Sequence, residues 1–268
     1  MIKISLFDGM AGILIYRKVK RLKNYKITIQ YDGTRYKGWQ VQNSTDMTIQ
    51  GKIQSVLSEM TGQEIEVIGS GRTDAGVHAY GQVANFHIPE KFEAKEILEY
   101  LNHYLPMDIA VMDIKEVEER FHARFHAVSK TYVYRIHRST IPNVFERKYM
   151  YTYTEPLNVE MMRKAAESLI GTHDFMAFCG NKKMKKSTVR TVMDIVIEEI
   201  GNELRISYTG DGFLQNMIRI MTGTLIEVGN GTKTLSQVTE ILQKKERQNA
   251  GYTVPPEGLC LKEVVYDE

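Results

Sequence analysis

The sequence predicts an α+β fold whose two halves follow the same order of elements, βαββαβ. Strands are indicated where apolar and polar residues alternate, as at residues 25–31 and 131–136. Amphipathic helices are indicated where apolar residues recur three and four positions apart, as at Ile49, Ile53 and Val56. With 268 residues, of which 43% are hydrophobic, the chain can bury a core without disulfides or a structural metal.

The first half begins with the strand at residues 25–31, which ends at a turn formed by Asp32-Gly33. A helix is expected between Thr48, a good N-cap residue, and Gly62, a good stop. The remaining elements of this half are strands over residues 64–69 and 82–88, a helix over 92–105 and a strand over 108–117.

The second half begins with the strand at residues 131–136. Asn158 then caps a helix whose apolar face reaches residue 170. Gly201-Asn202 fits a hairpin turn between two strands. The elements around and after that turn are strands over residues 192–200 and 203–208, a helix over 214–225, a helix opened by the capping box Thr234-x-x-Gln237 and a strand over 262–266.

These elements divide the chain into an extension at residues 1–23, expected to be disordered, and two α+β domains at residues 24–128 and 129–268. Antiparallel sheets would carry helices on one face and form a ligand cleft on the opposite, open face. Open sheets of this kind often bind single-stranded or splayed-out RNA. Because one fold hosts many functions, the residues themselves must decide between them.

The charge of the chain is distributed unevenly. The net charge is +2, but residues 1–26 hold seven basic side chains against one acid, so the remainder is slightly acidic. A nucleic-acid partner must therefore be held by local patches. Two such patches are residues 120–148, with seven basic side chains and one acid, and residues 182–190, with five basic side chains including Lys182 and Lys183. Both could instead be ordinary solvated surface.

Cysteine usage and hydropathy bear on the compartment. Cys179 and Cys260 are far apart and form no C-x-x-C pair, which argues against a zinc ribbon or a dithiol site. Reduced thiols and the lack of a signal-peptide core or membrane span predict a cytoplasmic protein. The basic extension at residues 1–23 is interpreted as a nonessential tail; an RNA-binding arm, a transit-like segment and an upstream start codon remain alternatives.

The loop at residues 69–78 is the densest candidate for chemistry. Three glycines surround Arg72 and Asp74 between two predicted strands, and glycines let a backbone approach a ligand closely. In an extended link, two residues that are two positions apart project the same way. The alternative is a turn in which Asp74 caps a backbone amide.

Aromatic and basic side chains alternate at residues 31–40, a composition that suits single-stranded RNA. Arg35 and Lys37 are candidate phosphate ligands there, whereas Trp39 could equally anchor the core. At residues 121–126, His122 and Arg124 are candidates for phosphate contact. A metal held by His122 and His126 is the alternative, although no H-E-x-x-H pattern is present.

Two further residues depend on their setting. Tyr132 lies in the strand that opens the second half, where it would belong to the core or the sheet surface. Arg219 interrupts an apolar run, and a buried cation needs an anionic partner. Asp74 is a candidate for that partner.

Taken together, these segments closely resemble the tRNA pseudouridine synthase A family from about Lys23 to the C-terminus. A Gly-Arg-Thr-Asp motif by itself would be weak evidence for this resemblance, but many motifs of the family occur here in order. They are Tyr31-Asp-Gly-Thr, Gly38-Trp-Gln, Gly71-Arg-Thr-Asp-Ala-Gly-Val-His-Ala79, Leu101-Asn-x-x-Leu-Pro106, Phe121-His-Ala-Arg-Phe125, Lys130-x-Tyr-x-Tyr134, Gly171-x-His-Asp-Phe175, Asn216-Met-Ile-Arg219 and Gly258-Leu-Cys-Leu261.

The resemblance implies isomerisation of uridine to pseudouridine at positions 38, 39 and 40 of the tRNA anticodon stem-loop, by a homodimer without a metal or cofactor. It implies that Asp74 is the essential carboxylate, acting on C1′ or on the 2′ proton. Arg219 would pair with Asp74, Tyr132 would stack on the target base, and Arg72 would occupy the space of the flipped nucleotide. Basic side chains would bind stem phosphates.

Three alternatives remain. A noncatalytic RNA-binding protein could use the same sheets, and a pseudouridine synthase could act on a different RNA. A metal-dependent phosphodiesterase would use His122, His126 and Asp74.

The first prediction concerns the extension. Deleting residues 1–22 is expected to leave turnover unchanged, because the motifs that carry the resemblance begin after it. Steady-state turnover and tRNA affinity of the truncated and full-length chains test this. A large loss of tRNA affinity would make the extension an RNA-binding arm.

Overall fold

The computed structural model describes residues 22–181 and 183–267, here called the described residues. Their strands are β1 (Leu22–Tyr31), β2 (Val67–Gly69), β3 (His78–Pro89), β4 (Ile109–Val117), β5 (Ala127–His137), β6 (Tyr151–Thr152), β7 (Gly171–Asp174), β8 (Val189–Ile200), β9 (Glu203–Gly210) and β10 (Leu259–Tyr266). Their helices are α1 (Ile49–Thr61), α2 (Ala94–Tyr104), α3 (Val159–Glu167), α4 (Met217–Gly229) and α5 (Leu235–Lys244).

All these strands belong to one sheet. Its main path runs β4-β1-β3-β10-β5-β9-β8-β7, with β2 paired to β3 and β6 paired to β5. Neighbours are antiparallel except for the parallel pairs β10 with β3 and β6 with β5. The predicted separate antiparallel sheets are therefore wrong. The cause is β10, which follows α5 in the chain but inserts between β3 and β5 and joins the two halves.

The observed order of elements agrees with the prediction in the first half of the chain. The second half contains more elements than predicted. Residues 22–117 follow the order βαββαβ. The second half also contains the short strands β6 and β7, which the sequence analysis missed. The similarity of the two halves and the boundary at residue 128 stay predictions.

One face of the sheet carries the core, and we call it the helix face. Along β1 the alternate side chains of Tyr25, Ile27 and Ile29 are fully buried, as expected for a strand covered on one side. On β9 the buried Tyr208 shares a hydrogen bond of 2.8 Å with the Thr222 hydroxyl of α4. Helix α4 therefore lies on the helix face.

Local sequence signals set most helix ends. The Thr48 hydroxyl accepts a hydrogen bond from the Gly51 N–H at the start of α1, and Gly62 ends that helix with a left-handed φ of 71°. The predicted capping box of Thr234 and Gln237 is present at α5. Helix α4, in contrast, begins at Met217 and not at residue 214, because Asn216 adopts a left-handed φ of 58°.

The structure corrects one boundary of the N-terminal extension. Residues 1–21 lie outside the described residues. Leu22 and Lys23 belong to β1, where they are paired in register with Pro89 and Ile88. The Lys23 ammonium also lies 3.3 Å from a carboxylate oxygen of Glu116. The prediction of disorder is therefore wrong for residues 22 and 23.

Both cysteines are buried free thiols. Burial raises the pKa of the Cys260 thiol to about 12, so this group stays protonated and unreactive at neutral pH. Of the helices in residues 22–181 and 183–267, none has both the length and the apolar character that a membrane span requires.

Candidate functional site

The glycine-rich loop connects β2 to β3 and is held by the segment around Trp39. Trp39 is 1% exposed, so of its two alternative roles the structure favours that of a core anchor. A Cβ atom on Gly69 would lie only 2.5 Å from the Trp39 ring, which explains the glycine there. The backbone N–H of Trp39 donates to the Thr73 carbonyl at 3.1 Å, and the Thr73 hydroxyl is 2.9 Å from the Tyr31 hydroxyl. The backbone that leads into Asp74 is therefore fixed.

Asp74 and Arg219 form an ion pair across the site, as the sequence predicted. Arg219 Nη1 lies 3.6 Å from Asp74 Oδ2, and the two side chains are 15% and 25% exposed. The Arg219 Nε–H donates to the Val254 carbonyl at 2.8 Å, and Nη1–H donates to Asn216 Oδ1 at 2.8 Å. These two contacts aim the guanidinium at the carboxylate.

Asn216, which accepts a hydrogen bond from Arg219, has a strained backbone conformation. Its left-handed φ is uncommon outside glycine, although asparagine tolerates it better than most residues. Gly180 makes room for it, since a Cβ atom there would lie 2.5 Å from Asn216 Nδ2. The Asn216 side chain caps no helix N–H and instead accepts from Arg219. Strain of this kind is typical of functional sites.

The pKa of Asp74 is raised above its ordinary value by burial. Arg219 and the backbone N–H of Asn216 act in the opposite direction, and burial outweighs them. The spacing of residues along the sequence can suggest such a pair, but it does not contain the loss of water that raises this pKa. A carboxylate with little solvation is a stronger base and nucleophile than an exposed one.

Tyr132 lies on β5 and is 7% exposed. Its ring packs edge-on against Phe213, with the ring centroids 5.4 Å apart. Burial, with a smaller contribution from Asp74, raises the pKa of its hydroxyl, so the phenol stays neutral. Among the described residues, the hydroxyl has no hydrogen-bond partner, which leaves it available to a ligand.

Asp74, Tyr132, Arg219 and Arg72 all line one cleft with a volume of about 1350 Å³. Arg72 is exposed and its Nε–H donates to Gln40 Oε1 at 2.9 Å. Arg72 and Asp74 thus border the same space. The cleft is large enough for several nucleotides rather than one small molecule.

The cleft lies on the helix face, so the prediction that helices cover the opposite face is wrong. Tyr132 is paired in register with Tyr208, which bonds to α4, and directly paired residues project to the same side. Helix α4 supplies Arg219 itself, and Gln50 of α1 lines the cleft. Most of the other lining residues lie on loops, including the glycine-rich loop.

Some of the predicted RNA-binding residues line the cleft and others do not. Lys37, His122 and Arg124 line it. Arg35 lies outside the lining and pairs with Asp108 at 2.6 Å. Lys183 is exposed away from the lining, and Lys182 lies outside the described residues. The neighbouring cations Lys186 and Arg190 line the cleft instead.

The two histidines of the metal alternative, His122 and His126, make other contacts. The His122 Nδ1 accepts the backbone N–H of Arg124 at 3.1 Å, and the His126 ring packs edge-on against Phe121. Within residues 22–181 and 183–267, no group of three His, Cys, Asp or Glu side chains could hold a metal ion. The phosphodiesterase alternative therefore lacks a ligand set there.

Sequence reasoning left two cleft residues without a role. Asn216 aims Arg219, and its signal was a position just before an apolar helical stripe. Lys130 lines the cleft beside Tyr132. The predicted strand at residues 131–136 began too late to include Lys130, whereas the observed β5 contains it and places Lys130 and Tyr132 on one face.

Comparison with known proteins decides the family. A family model described as tRNA pseudouridine synthase matches residues 27–126 and 165–267, which is more than half of the chain. The chain belongs to the tRNA pseudouridine synthase family. The resemblance inferred from the motifs is thereby confirmed, and the matched residues include Asp74 and Arg219.

Individual relatives agree with this membership of the tRNA pseudouridine synthase family. The chain is 51% identical to tRNA pseudouridine synthase A of Bacillus sp. (strain KSM-64), over 86% of the chain and 95% of the relative. It is 49% identical to tRNA pseudouridine synthase A 1 of Clostridium tetani and 47% identical to tRNA pseudouridine synthase A 2 of Bacillus anthracis. Each of these two comparisons covers 91% of the chain and 100% of the relative.

The variant Asp74→Asn is expected to lose about 1,000-fold or more in turnover while its Tm at pH 7 stays at or above that of the wild type. Folding raises the pKa of Asp74, so the folded chain holds this proton more tightly than the unfolded chain does. Ionisation above both pKa values therefore costs stability, and the amide removes that cost. Calorimetry and single-turnover assays test this. A clearly lower Tm would show that the carboxylate stabilises the fold.

The variant Arg219→Leu is expected to lower turnover by about 100-fold or more and Tm by only a few degrees. It removes the counter-charge of Asp74, whereas its other two contacts are to neutral oxygens. Arg219→Lys, which keeps the charge, is the matched control and should lose less activity. Equal losses in both variants, or a collapse of Tm as severe as that of the rate, would contradict a charge-pairing role.

Proposed function

We propose that this chain isomerises uridine to pseudouridine at positions 38, 39 and 40 of the tRNA anticodon stem-loop. Conversion of uridine to pseudouridine in tRNA follows from membership of the tRNA pseudouridine synthase family; the positions are the further step. The observation that carries the proposal is the Asp74–Arg219 pair beside Tyr132, in a cleft bordered by cations.

The reaction breaks the N1–C1′ glycosidic bond, turns the uracil and joins C5 to the same C1′. The proton leaves C5 and N1 gains one, so nothing is oxidised and no group is imported. Asp74 either attacks C1′ or removes the 2′ proton to form a glycal, and both routes require the ionised carboxylate. Arg219, 3.6 Å away, keeps that charge oriented in a site with little water.

Tyr132 and Arg72 are proposed to hold the flipped nucleotide. The Tyr132 ring is fixed by Phe213, so it offers a rigid surface on which uracil can stack. Its raised pKa favours a neutral phenol that donates or accepts a hydrogen bond while the C5 proton is removed. Arg72 is long, exposed and restrained by Gln40, which suits a side chain that fills the space of an extruded base.

The wider organisation is part of the same proposal. We propose two similar α+β domains, the first beginning with β1 and ending at residue 128 and the second at residues 129–268, which share one RNA-binding cleft. By family resemblance the chain acts in the cytoplasm as a homodimer on tRNA. The isomerisation balances without a metal or a small-molecule cofactor. Arg35, Lys182 and Lys183 would contact RNA outside the cleft, and Lys37, His122 and Arg124 within it.

Tritium release from an anticodon-arm transcript labelled with [5-³H]uridine tests the proposal. The wild type is expected to release tritium in buffer with a chelator, and Asp74→Asn is expected to bind RNA without release. Single uridine-to-adenosine replacements then show whether the product follows positions 38 to 40.

Two results would contradict the proposal. Tight binding by the wild type without tritium release would support a noncatalytic RNA-binding protein. Release that persists when positions 38, 39 and 40 all lack uridine, or that occurs only with another RNA, would support the same chemistry on a different substrate.

A further inference from the structure

Lys130 is a buried cation in the wall of the cleft. It lies on β5 two residues before Tyr132, so both side chains project to the helix face. The residue is 9% exposed. Its ammonium donates to the Ser70 carbonyl at 2.6 Å, and Ser70 is itself fully buried and held by Gln82.

The charge of Lys130 is poorly compensated. Among the ion pairs within 4.0 Å in the described residues, none includes Lys130. The charged groups that act on it are the cations Arg124 and Arg190 and, with a weaker and opposite effect, Asp211, whose carboxylate accepts the Thr191 N–H. Burial, together with the two cations, lowers the pKa of Lys130 to about 8. A buried ammonium with one neutral partner costs free energy unless an anion completes its contacts.

The surroundings leave room for such an anion. Gly71 lies over the ammonium, and a Cβ atom there would be only 3.2 Å from Nζ. Without that atom, the ammonium remains open toward the cleft, which Gly71, Lys130 and Tyr132 all line. An ammonium has three donors, and the Ser70 carbonyl uses one of them.

We propose that Lys130 is a positioning residue that binds a backbone phosphate adjacent to the target uridine and so places that nucleotide over Asp74 and Tyr132. The inference rests on the proposed function for the identity of the RNA. Its physical basis is separate, because it depends on a buried, unpaired cation in the same cleft wall as Tyr132. Phosphates of a single strand are the anions that a cation-lined cleft attracts.

The test is a double-mutant cycle between the protein and the RNA. Lys130→Met removes the charge at similar length, and a methylphosphonate replaces the phosphate on the 5′ or the 3′ side of the target uridine. Each change alone is expected to raise Kd by about tenfold. At one of the two phosphates, the two changes together are expected to raise Kd no more than either change alone. Lys115→Met, an exposed lysine of β4 away from the cleft lining, is the matched control.

The pH dependence provides a readout that a merely structural role would not move. A bound phosphate favours the charged form of the Lys130 ammonium. At a pH above its pKa of about 8 in the free protein, Lys130 should therefore gain a proton when the RNA binds. The Kd of the native arm should then rise by about tenfold per pH unit relative to the methylphosphonate arm, whose bases titrate identically. This measurement uses the wild-type chain and remains decisive if Lys130→Met does not fold.

The outcomes separate the inference from the proposed function. Additive losses at both phosphates, with no pH difference between the native and neutral arms, would overturn the role of Lys130. If the wild type releases no tritium but the cycle shows coupling, the proposed reaction fails while the phosphate site stands. If tritium is released and the cycle is additive, the reaction stands and Lys130 does not contact either phosphate.

Discussion

The site depends on holding one carboxylate in a largely dehydrated place opposite one guanidinium. Burial raises the pKa of Asp74, and Arg219 opposes that effect from 3.6 Å. The two residues come from different halves of the chain, the loop after β2 and the helix α4. Their pairing therefore requires that the halves be fixed relative to each other. The central strand β10 provides this, since it bonds to β3 on one side and β5 on the other.

The segment that precedes β10 also connects it to the ion pair. The Arg219 Nε–H donates to the Val254 carbonyl, and the Val254 N–H donates back to the Arg219 carbonyl at 3.3 Å. Farther along, the Tyr134 hydroxyl donates to the Pro255 carbonyl at 2.8 Å. The same short segment thus positions the guanidinium and leads into the strand that joins the halves.

Several residues of the cleft are in conformations or environments that lower the stability of the fold. Asn216 takes a left-handed backbone conformation, Asp74 is a carboxylate whose charge burial disfavours, and Lys130 is an ammonium with one neutral partner. Each is costly by itself and is tolerated because a large buried core surrounds it. Of these costs, an anionic ligand would offset that of the Lys130 ammonium. The cations of the cleft wall and the largely dehydrated carboxylate therefore line the same cleft, whose electrostatic potential they set together.

The sequence by itself determined most of the elements and several of the residues that line the cleft, because these depend on local signals. The alternation at residues 25–31, the caps Thr48 and Thr234 and the motifs around Asp74 are all readable from neighbouring residues. Tertiary structure alone decided the rest: one sheet instead of two, a cleft on the helix face, and an Arg35 paired with Asp108 outside the cleft. It also decided the direction of the Asp74 pKa. These outcomes follow from strand pairing between distant segments and from loss of water on burial, and neither is encoded in the spacing of nearby residues.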